Sequence, residues 1–320
     1  MLVDMPLDRL RDYRPEPEEP ADFDAFWKRT LDESPAGAEF APWEGGLATV
    51  EVLDVTFCGW AGQPVKAWLL LPRHRTAPLP AVVQYIGYNG GRGLPYQSLA
   101  YSAAGHAHLI MDNRGQGGGG KATADTPDVH PAGHGSSAPG FVTRGIEDPE
   151  RHYYRRLMTD AVRAVDAVKA HPAVDGSRVA VAGGSQGGGL ALAVAGLRDD
   201  VAGMLADVPF LCHYRRAAEI TDNGPYAEIR RWLSGHRFAA ETAFTTLSYF
   251  DGVNFAARAS CPGWFSAGLM DNVCPPSTIY AALNRYAGPA SIEVYRYNGH
   301  EGGAEYDLPR KFAALRSLFS

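Results

Sequence analysis

The sequence lacks the features of several large protein classes. It has no run of 18 apolar residues and no basic segment followed by an apolar one at its N-terminus, so nothing indicates a membrane span or a secretory signal. Its four cysteines form no C-x-x-C pair and match no zinc spacing, so we expect reduced thiols, no metal and no cofactor. Lys and Arg number 30 against 36 Asp and Glu, and this net charge of −6 gives no general attraction to nucleic acid or anionic lipid. We expect a cytoplasmic protein with neither kind of partner.

The composition that is present is typical of a globular protein with a large core. Hydrophobic residues make up 45% of the 320 residues. Residues 1–46 are rich in proline and acids, and they predict an N-terminal extension with one helix from Asp22 to Glu33. Residues 47–320 predict a single α/β domain that carries a long loop at 114–148 and a cap-like helical insertion at 209–260.

Apolar runs within this domain predict a mostly parallel sheet covered by helices. Residues 48–58 and 64–72 predict an antiparallel hairpin. Six further short runs alternate with helices or loops and predict strands at 82–86, 108–111, 178–182, 201–206, 264–267 and 292–297. One intervening helix has Leu157, Ala161, Val165 and Val168 on its apolar face and Asp160, Arg163, Asp166 and Lys169 on its polar face.

The strongest chemical motif is Gly183-Gly-Ser-Gln-Gly187, which follows a predicted strand and precedes a predicted helix. This is G-x-S-x-G in the strand, turn and helix context that the motif requires. Glycines suit it because the sharp turn brings neighbouring backbone segments too close for side chains. The turn presents the Ser185 hydroxyl at a helix N-terminus, where free N–H groups stabilise negative charge.

A serine nucleophile needs a base, and the base needs an acid to fix its tautomer. On folds with this elbow, the acid and then the base follow the serine on loops after later strands. Asp271 follows the strand that ends at Ala267, and His300 follows the strand that ends at Tyr297. His300 is also the only histidine after Asp271. The order therefore predicts Ser185, His300 and Asp271 as a catalytic triad.

Such a site also needs two donors for the oxyanion, one from the residue after the nucleophile and one from the loop after an early strand. Gln186 N–H is the first candidate. The early loop Gly87-Tyr88-Asn-Gly-Gly-Arg-Gly93 supplies the second, and we expect it to be Tyr88 N–H. A plain glycine-rich turn is the alternative for this loop.

Two phosphate-binding motifs are excluded. Gly115-Gln-Gly-Gly-Gly-Gly120 fits G-x-G-x-x-G, but the following residues, rich in Pro and Thr, cannot continue as the helix that a dinucleotide site requires. The P-loop pattern does not occur.

Taken together, the motifs resemble one family. They are Tyr85-Ile-Gly-Tyr-Asn-Gly-Gly-Arg-Gly93, Arg114-Gly-Gln-Gly117, Gly183-Gly-Ser-Gln-Gly-Gly-Gly189, Asp207-Val-Pro-Phe-Leu-Cys-His213, Leu269-Met-Asp-Asn-Val-Cys-Pro-Pro-Ser277 and His300-Glu301. This combination resembles the cephalosporin-C deacetylase and acetyl xylan esterase family, carbohydrate esterase family seven, from about Pro6 to the C-terminus.

The resemblance implies an α/β-hydrolase fold with the same triad, and Tyr88 and Gln186 as oxyanion donors. It implies deacetylation of small acetylated sugars, xylo-oligosaccharides and cephalosporin C, and homo-hexamers whose active sites face an inner cavity. Arg114 and Gln116 are expected to support the site, the arginine by anchoring backbone carbonyls.

Three residues of the insertion, Pro225, Tyr226 and Trp232, are candidates for substrate binding that would limit acyl length. Core packing or a subunit contact is an equal alternative for its aromatic residues. A peptidase or longer-chain esterase remains an alternative, because a triad does not specify the leaving group. A catalytically silent binding module is a third.

Overall fold

One large sheet organises the part of the chain that the computed structural model describes, residues 3–118, 122–129 and 138–320. In these residues nine strands lie in the order β1-β2-β3-β5-β4-β6-β7-β8-β9. The strands are β1 (Ala38–Trp43), β2 (Val50–Cys58), β3 (Pro64–Pro72), β4 (Leu79–Tyr85), β5 (Ala107–Met111), β6 (Val174–Gly184), β7 (Gly203–Asp207), β8 (Gly263–Gly268) and β9 (Ala290–Tyr295).

Helices follow or connect these strands. They are α1 (Leu7–Arg11), α2 (Phe23–Asp32), α3 (Ala100–Ala103), α4 (Tyr153–Lys169), α5 (Gln186–Leu197), α6 (Tyr214–Ile220), α7 (Tyr226–Gly235), α8 (Ala240–Ser248), α9 (Gly252–Ala256), α10 (Pro276–Leu283) and α11 (Leu308–Phe319). Short 3-10 turns lie at Trp60–Gly62, Pro95–Gln97 and Ala304–Asp307. In the described residues, none of these helices is long and apolar enough to cross a membrane.

The sheet is mixed, as the sequence predicts. β2 and β3 form the expected antiparallel hairpin, and β1 and β5 extend it on either side, also antiparallel. From β5 to β9 every neighbouring pair is parallel. The carboxyl ends of β4, β6, β8 and β9 therefore lie at one edge of the sheet, which is where ligand sites of such sheets form.

Successive residues of the central strands pack against helices on opposite faces of the sheet. Val83 and Val181 belong to the main core, which includes the apolar faces of α4 and α5. Val82 and Ala180 point the other way, into a smaller core closed by Leu315 of α11. Because these strands are buried on both faces, their sequences are apolar at successive positions and do not alternate with polar residues.

The N-terminal region contains two elements that the sequence did not predict, the short helix α1 and the strand β1. The predicted helix is confirmed as α2, and its Phe26 and Trp27 pack against Phe250. β1, however, also lies before residue 46 and pairs with β2 as an edge strand. The extension thus contributes a strand to the sheet of the main domain.

The two predicted insertions differ in how much of them is described. Residues 209–260 contain the four helices α6 to α9, in agreement with the helical insertion expected there. In the loop predicted at 114–148, residues 119–121 and 130–137 lie outside the described residues, as does the end of the G-x-G-x-x-G match. The described part of this loop contains Arg114, Gln116 and Asp128, all buried.

Candidate active site

Ser185 occupies a strained turn between β6 and α5. Its backbone has φ 55° and ψ −121°, a region that costs a residue other than glycine about 1–3 kcal/mol. The turn is held on both sides, since Ser185 N donates to Asp207 O at 2.9 Å and Phe210 N donates to Ser185 O at 2.9 Å. A Cβ on Gly187 would lie 2.1 Å from Tyr85 O, so only glycine fits there.

Three side chains meet at this turn in one hydrogen-bonded series. The Ser185 hydroxyl lies 2.9 Å from His300 Nε2, and His300 Nδ1 lies 2.9 Å from Asp271 Oδ2. Asp271 is fully buried, whereas the His300 side chain keeps 31% of its surface exposed. With Nδ1–H donated to the carboxylate, Nε2 is left to accept from the Ser185 hydroxyl. This is the arrangement in which imidazole acts as a base toward serine.

The loops after β8 and β9 fix the acid and the base. Asp271 Oδ1 accepts from Val273 N at 2.8 Å and Cys274 N at 2.9 Å, which leaves Oδ2 for His300. The His300 loop is braced by its neighbour Glu301, which accepts from the Asn298 amide at 2.9 Å and from the main chain of residue 299 at 3.1 Å. The Asn298 amide and these other donors hold the pKa of Glu301 below its usual value.

The Cys274 thiol lies beside Asp271 and His300. Ligand atoms of Asp271, Cys274 and His300 lie within 4.8 Å of one another, so these residues could in principle hold a metal ion. Both ring nitrogens of His300 already have hydrogen-bond partners, however. Burial raises the pKa of the Cys274 thiol well above its usual value, and the nearby Asp271 charge adds to this. The thiol is therefore protonated at neutral pH and a poor metal ligand.

The loop after β4 lies against the elbow and is tied to it by two glutamines. Gln186 Nε2 donates to Ile86 O at 3.2 Å, and Gln116 Oε1 accepts from Asn89 N at 2.6 Å. Gln116 Nε2 in turn donates to Gln186 Oε1 at 2.9 Å. Among the described residues, the main-chain N–H groups of Tyr88 and Gln186 have no hydrogen-bond acceptor. The loop after β4 and the start of α5 thus each carry one free main-chain donor.

The fully buried Arg114 has a different partner from the one predicted. The sequence predicts that it anchors backbone carbonyls, whereas it makes a two-bond ion pair with Asp160 of α4, at 2.5 and 2.7 Å. It also donates to Gln63 Oε1 at 2.6 Å. Asp160 was predicted on the polar face of this helix, yet it is fully buried. A carboxylate partner follows from burial, because a guanidinium without one would be very unfavourable there.

The structure gives the three candidate substrate residues different surroundings. Pro225 is buried at the start of α7. The turn before it contacts the Asp271 loop, since the Asn223 amide donates to Asn272 Oδ1 at 3.2 Å. Tyr226 is fully buried, and its hydroxyl donates to Cys212 O at 2.8 Å, so the structure gives it a packing role. The Trp232 ring stacks on His236 with a centroid distance of 4.1 Å.

Two residues near the site gave no signal in the sequence. Glu228 of α7 is buried and accepts a hydrogen bond from the Tyr88 hydroxyl at 2.6 Å. Tyr154 of α4 donates to Gln186 Oε1 at 3.0 Å. Neither belongs to a motif, and each contacts the site from a helix that is far from it in sequence. Only covariation or a structure would have found them.

The strained serine elbow at the carboxyl edge of a largely parallel sheet, with acid and base on later loops, defines the α/β-hydrolase fold. Residues 1–317 match the acetyl xylan esterase (AXE1) family. The chain belongs to this family, and the resemblance inferred from the motifs is confirmed.

Solved structures agree with this assignment. The acetyl xylan esterase from Paenibacillus sp. R4 is 40% identical, with a TM-score of 0.87 over 97% of this chain and 99% of that one. Acetyl Xylan Esterase 1 from Thermoanaerobacterium sp. JW/SL YS485 is 34% identical, with a TM-score of 0.87 over 99% of this chain and 100% of that one.

A curated relative is longer than this chain. The acetyl esterase Axe7A of Xylanibacter ruminicola is 29% identical over 305 residues, which is 90% of this chain and 65% of that protein. The chain therefore spans about two thirds of the length of this relative.

Proposed function

We propose that the protein is a serine esterase that removes acetyl groups from acetylated xylo-oligosaccharides and other small acetyl esters, cephalosporin C among them. The observation that carries this proposal is the series of two 2.9 Å hydrogen bonds from Ser185 through His300 to the buried Asp271. The acetyl xylan esterases among its relatives support the choice of acetyl as the acyl group.

In the proposed reaction, the Ser185 oxygen attacks the acetyl carbonyl while His300 Nε2 takes the hydroxyl proton. The tetrahedral intermediate collapses when the bond to the sugar oxygen breaks, and His300 gives that oxygen its proton. Water then attacks the acetyl-serine with His300 again as the base, which releases acetate and restores the Ser185 hydroxyl. Asp271 stabilises the imidazolium in both steps.

The oxyanion needs donors that are already in place, and we assign this role to the main-chain N–H groups of Gln186 and Tyr88. Both are free among the described residues, and Gln186 is the first residue of the 12-residue helix α5. Its N–H therefore points out of the positive end of the helix. One such donor contributes about 3 kcal/mol to the transition state.

We further propose that Pro225 borders the acyl site. The turn before it is joined to the Asp271 loop through Asn223 and Asn272, and Thr221 Oγ1 also donates to Asn272 O. A rigid, buried residue at this place would favour acetyl over longer acyl groups. Contact of Trp232 with substrate stays a prediction.

The test is acetate release from acetylated xylo-oligosaccharides and from cephalosporin C by the wild type and by Ser185→Ala. We expect release by the wild type and none by the variant. A series of p-nitrophenyl esters should show a sharp fall beyond short acyl groups. Preference for octanoate or for an aminoacyl amide would contradict the acetyl assignment. Equal fluorophosphonate labelling of both proteins would contradict the nucleophile.

We also keep the homo-hexamer as a proposal, supported by the family resemblance. The fully exposed Phe238 and the largely exposed Tyr306 are the kind of aromatic residues that enter subunit contacts. Light scattering of the purified chain should give six times the 34.5 kDa chain mass, and a monomer at micromolar concentration would contradict it.

A further inference from the structure

A buried carboxylate lies behind the loop that carries Tyr88. Glu228, on the first turn of α7, accepts from the Tyr88 hydroxyl at 2.6 Å and from Gly140 N at 3.0 Å through Oε1, and from Val142 N at 3.2 Å through Oε2. The residue is buried, with 9% of its surface exposed. Each of these bonds has the carboxylate as acceptor, so the position requires a side chain with two accepting oxygens.

The Tyr88 hydroxyl is fully engaged at this cluster. It donates to Glu228 and accepts from Gly140 N at 3.1 Å and Phe141 N at 3.0 Å. The Tyr88 ring packs edge-on against Phe141, with centroids 5.4 Å apart, and against Phe210, with centroids 6.2 Å apart. Burial raises the pKa of this hydroxyl, and the Glu228 charge raises it further, so it remains a donor to the carboxylate.

The backbone of the same loop is fixed separately. Ile86 O accepts from the Gln186 amide, and Asn89 N donates to Gln116. Those two bonds lie on either side of Tyr88 in the chain and leave its own N–H free. The peptide unit that carries this N–H is held at Gly87 O, which accepts from Asn113 Nδ2 at 3.2 Å and from Gly90 N at 3.1 Å. On its Tyr88 side, the described residues hold the side chain at its polar end through the Glu228 cluster.

We infer that Glu228 is a positioning residue for the oxyanion site, because it fixes the Tyr88 side chain and so, together with the bonds to Gly87 O, holds the Tyr88 main-chain N–H in place. This inference rests on the proposed function. α7 also reaches the Asp271 loop through the turn before it, where Asn223 and Asn272 are bonded. One helix thus contacts the loops of both the oxyanion donor and the acid.

The test compares Glu228→Gln, Tyr88→Phe and the double variant, with Arg230→Gln as the matched control on the exposed side of α7. In Glu228→Gln the amide oxygen can face Tyr88, but the amide NH2 then meets the Val142 N–H, so the cluster is strained and loses its charge. We measure kcat per active site titrated with a fluorophosphonate, KM for p-nitrophenyl acetate, and the melting temperature of each protein.

We expect Glu228→Gln to lower kcat about 10- to 100-fold and to change KM less than about twofold. This loss is smaller than the 10²- to 10³-fold loss in kcat that follows when an oxyanion donor is removed completely. Because both substitutions release the same side chain, their effects on kcat should not multiply. The kcat of the double variant should lie within about twofold of the kcat of the slower single variant. Arg230→Gln should match the wild type.

An unchanged kcat in Glu228→Gln, or effects that multiply in the double variant, would overturn the inference. If Glu228→Gln does not fold, Tyr88→Phe alone decides, because it keeps the carboxylate and its two main-chain donors: a lower kcat at unchanged KM supports the inference and an unchanged kcat overturns it. Failure of the proposed function is seen separately, as a wild type that has no esterase activity beyond that of Ser185→Ala.

Discussion

Replacing Asp271 by Asn tests how the acid controls the histidine. The side chain is fully buried, and its Oδ1 is held by two main-chain donors, Val273 N and Cys274 N. An asparagine oxygen would stay with those donors, so its NH2 group would point at His300 Nδ1. That nitrogen must then accept, and the ring proton moves to Nε2, which faces Ser185. The histidine would be in the wrong tautomer to take the serine proton.

The expected loss follows from this geometry. The fold is retained because the amide has the size of the carboxylate, but the base is unavailable, which in triads of this kind lowers kcat by about 10⁴-fold. At about 1.4 kcal/mol per tenfold change, this corresponds to about 5 kcal/mol of transition-state stabilisation. KM for a short acetyl ester should change little, because Asp271 does not reach the substrate.

The assay is steady-state acetate release at neutral pH, with the melting temperature as a check on folding. Asp199→Asn, which removes an exposed carboxylate, is the matched control and should keep full activity. A folded Asp271→Asn variant that retains more than about a tenth of the wild-type kcat would refute the reasoning, because the histidine would then not depend on this carboxylate.

Two further predictions concern stability. Asp160→Asn should lower the free energy of unfolding by about 3–5 kcal/mol in urea, because it removes the carboxylate that pairs with the buried Arg114 guanidinium through two bonds and leaves only the more distant Asp128, at 3.8 Å. His152 is fully buried, its Nε2–H donates to Val142 O at 2.9 Å, and burial lowers its pKa to about 4. In the unfolded chain its pKa is near 6.5, so the unfolded state binds the proton first as pH falls. His152 should therefore lower the free energy of unfolding by about 2–3 kcal/mol between pH 7 and pH 4.5. His152→Gln should lack this share of the pH dependence.

Each stability prediction has an exposed control. Asp148→Asn removes a half-exposed carboxylate and should change the free energy of unfolding by less than about 0.5 kcal/mol. His74→Gln should keep the pH dependence of the wild type. A loss below about 1 kcal/mol in Asp160→Asn would contradict the buried ion pair. A His152→Gln variant with the wild-type pH dependence would contradict the role given to burial.

The sequence was sufficient where local chemistry determines the structure. The glycines around Ser185 predict a sharp turn because no other residue fits the close backbone contacts, and the structure has such a turn with φ 55°. The order of strands predicted which loops would lie at one edge of the sheet. The distances between Ser185, His300 and Asp271 could not be read from spacing, because they depend on how β6, β8 and β9 are paired.

The sequence was insufficient where a partner lies far away in the chain. Asp160 has helical spacing typical of a solvated face, and only the approach of Arg114, 46 residues earlier, makes it buried. In the sequence, Glu228 resembles an ordinary exposed carboxylate of a helix. Its partner Tyr88 lies 140 residues earlier, and only the fold brings the two side chains together. β1 was missed because its burial is only partial and it contains Pro42, which an edge strand tolerates.

The most direct test of the account is to trap the acyl-enzyme. The wild type is mixed with p-nitrophenyl acetate, quenched in acid within the first turnovers, digested, and analysed by mass spectrometry. We predict one acetyl group on the peptide that contains Ser185, with a higher yield in a variant whose deacylation is slowed. The account would be contradicted by an acetyl group on another residue. It would also be contradicted if Ser185 stayed unmodified and Ser185→Ala hydrolysed the ester at the wild-type rate.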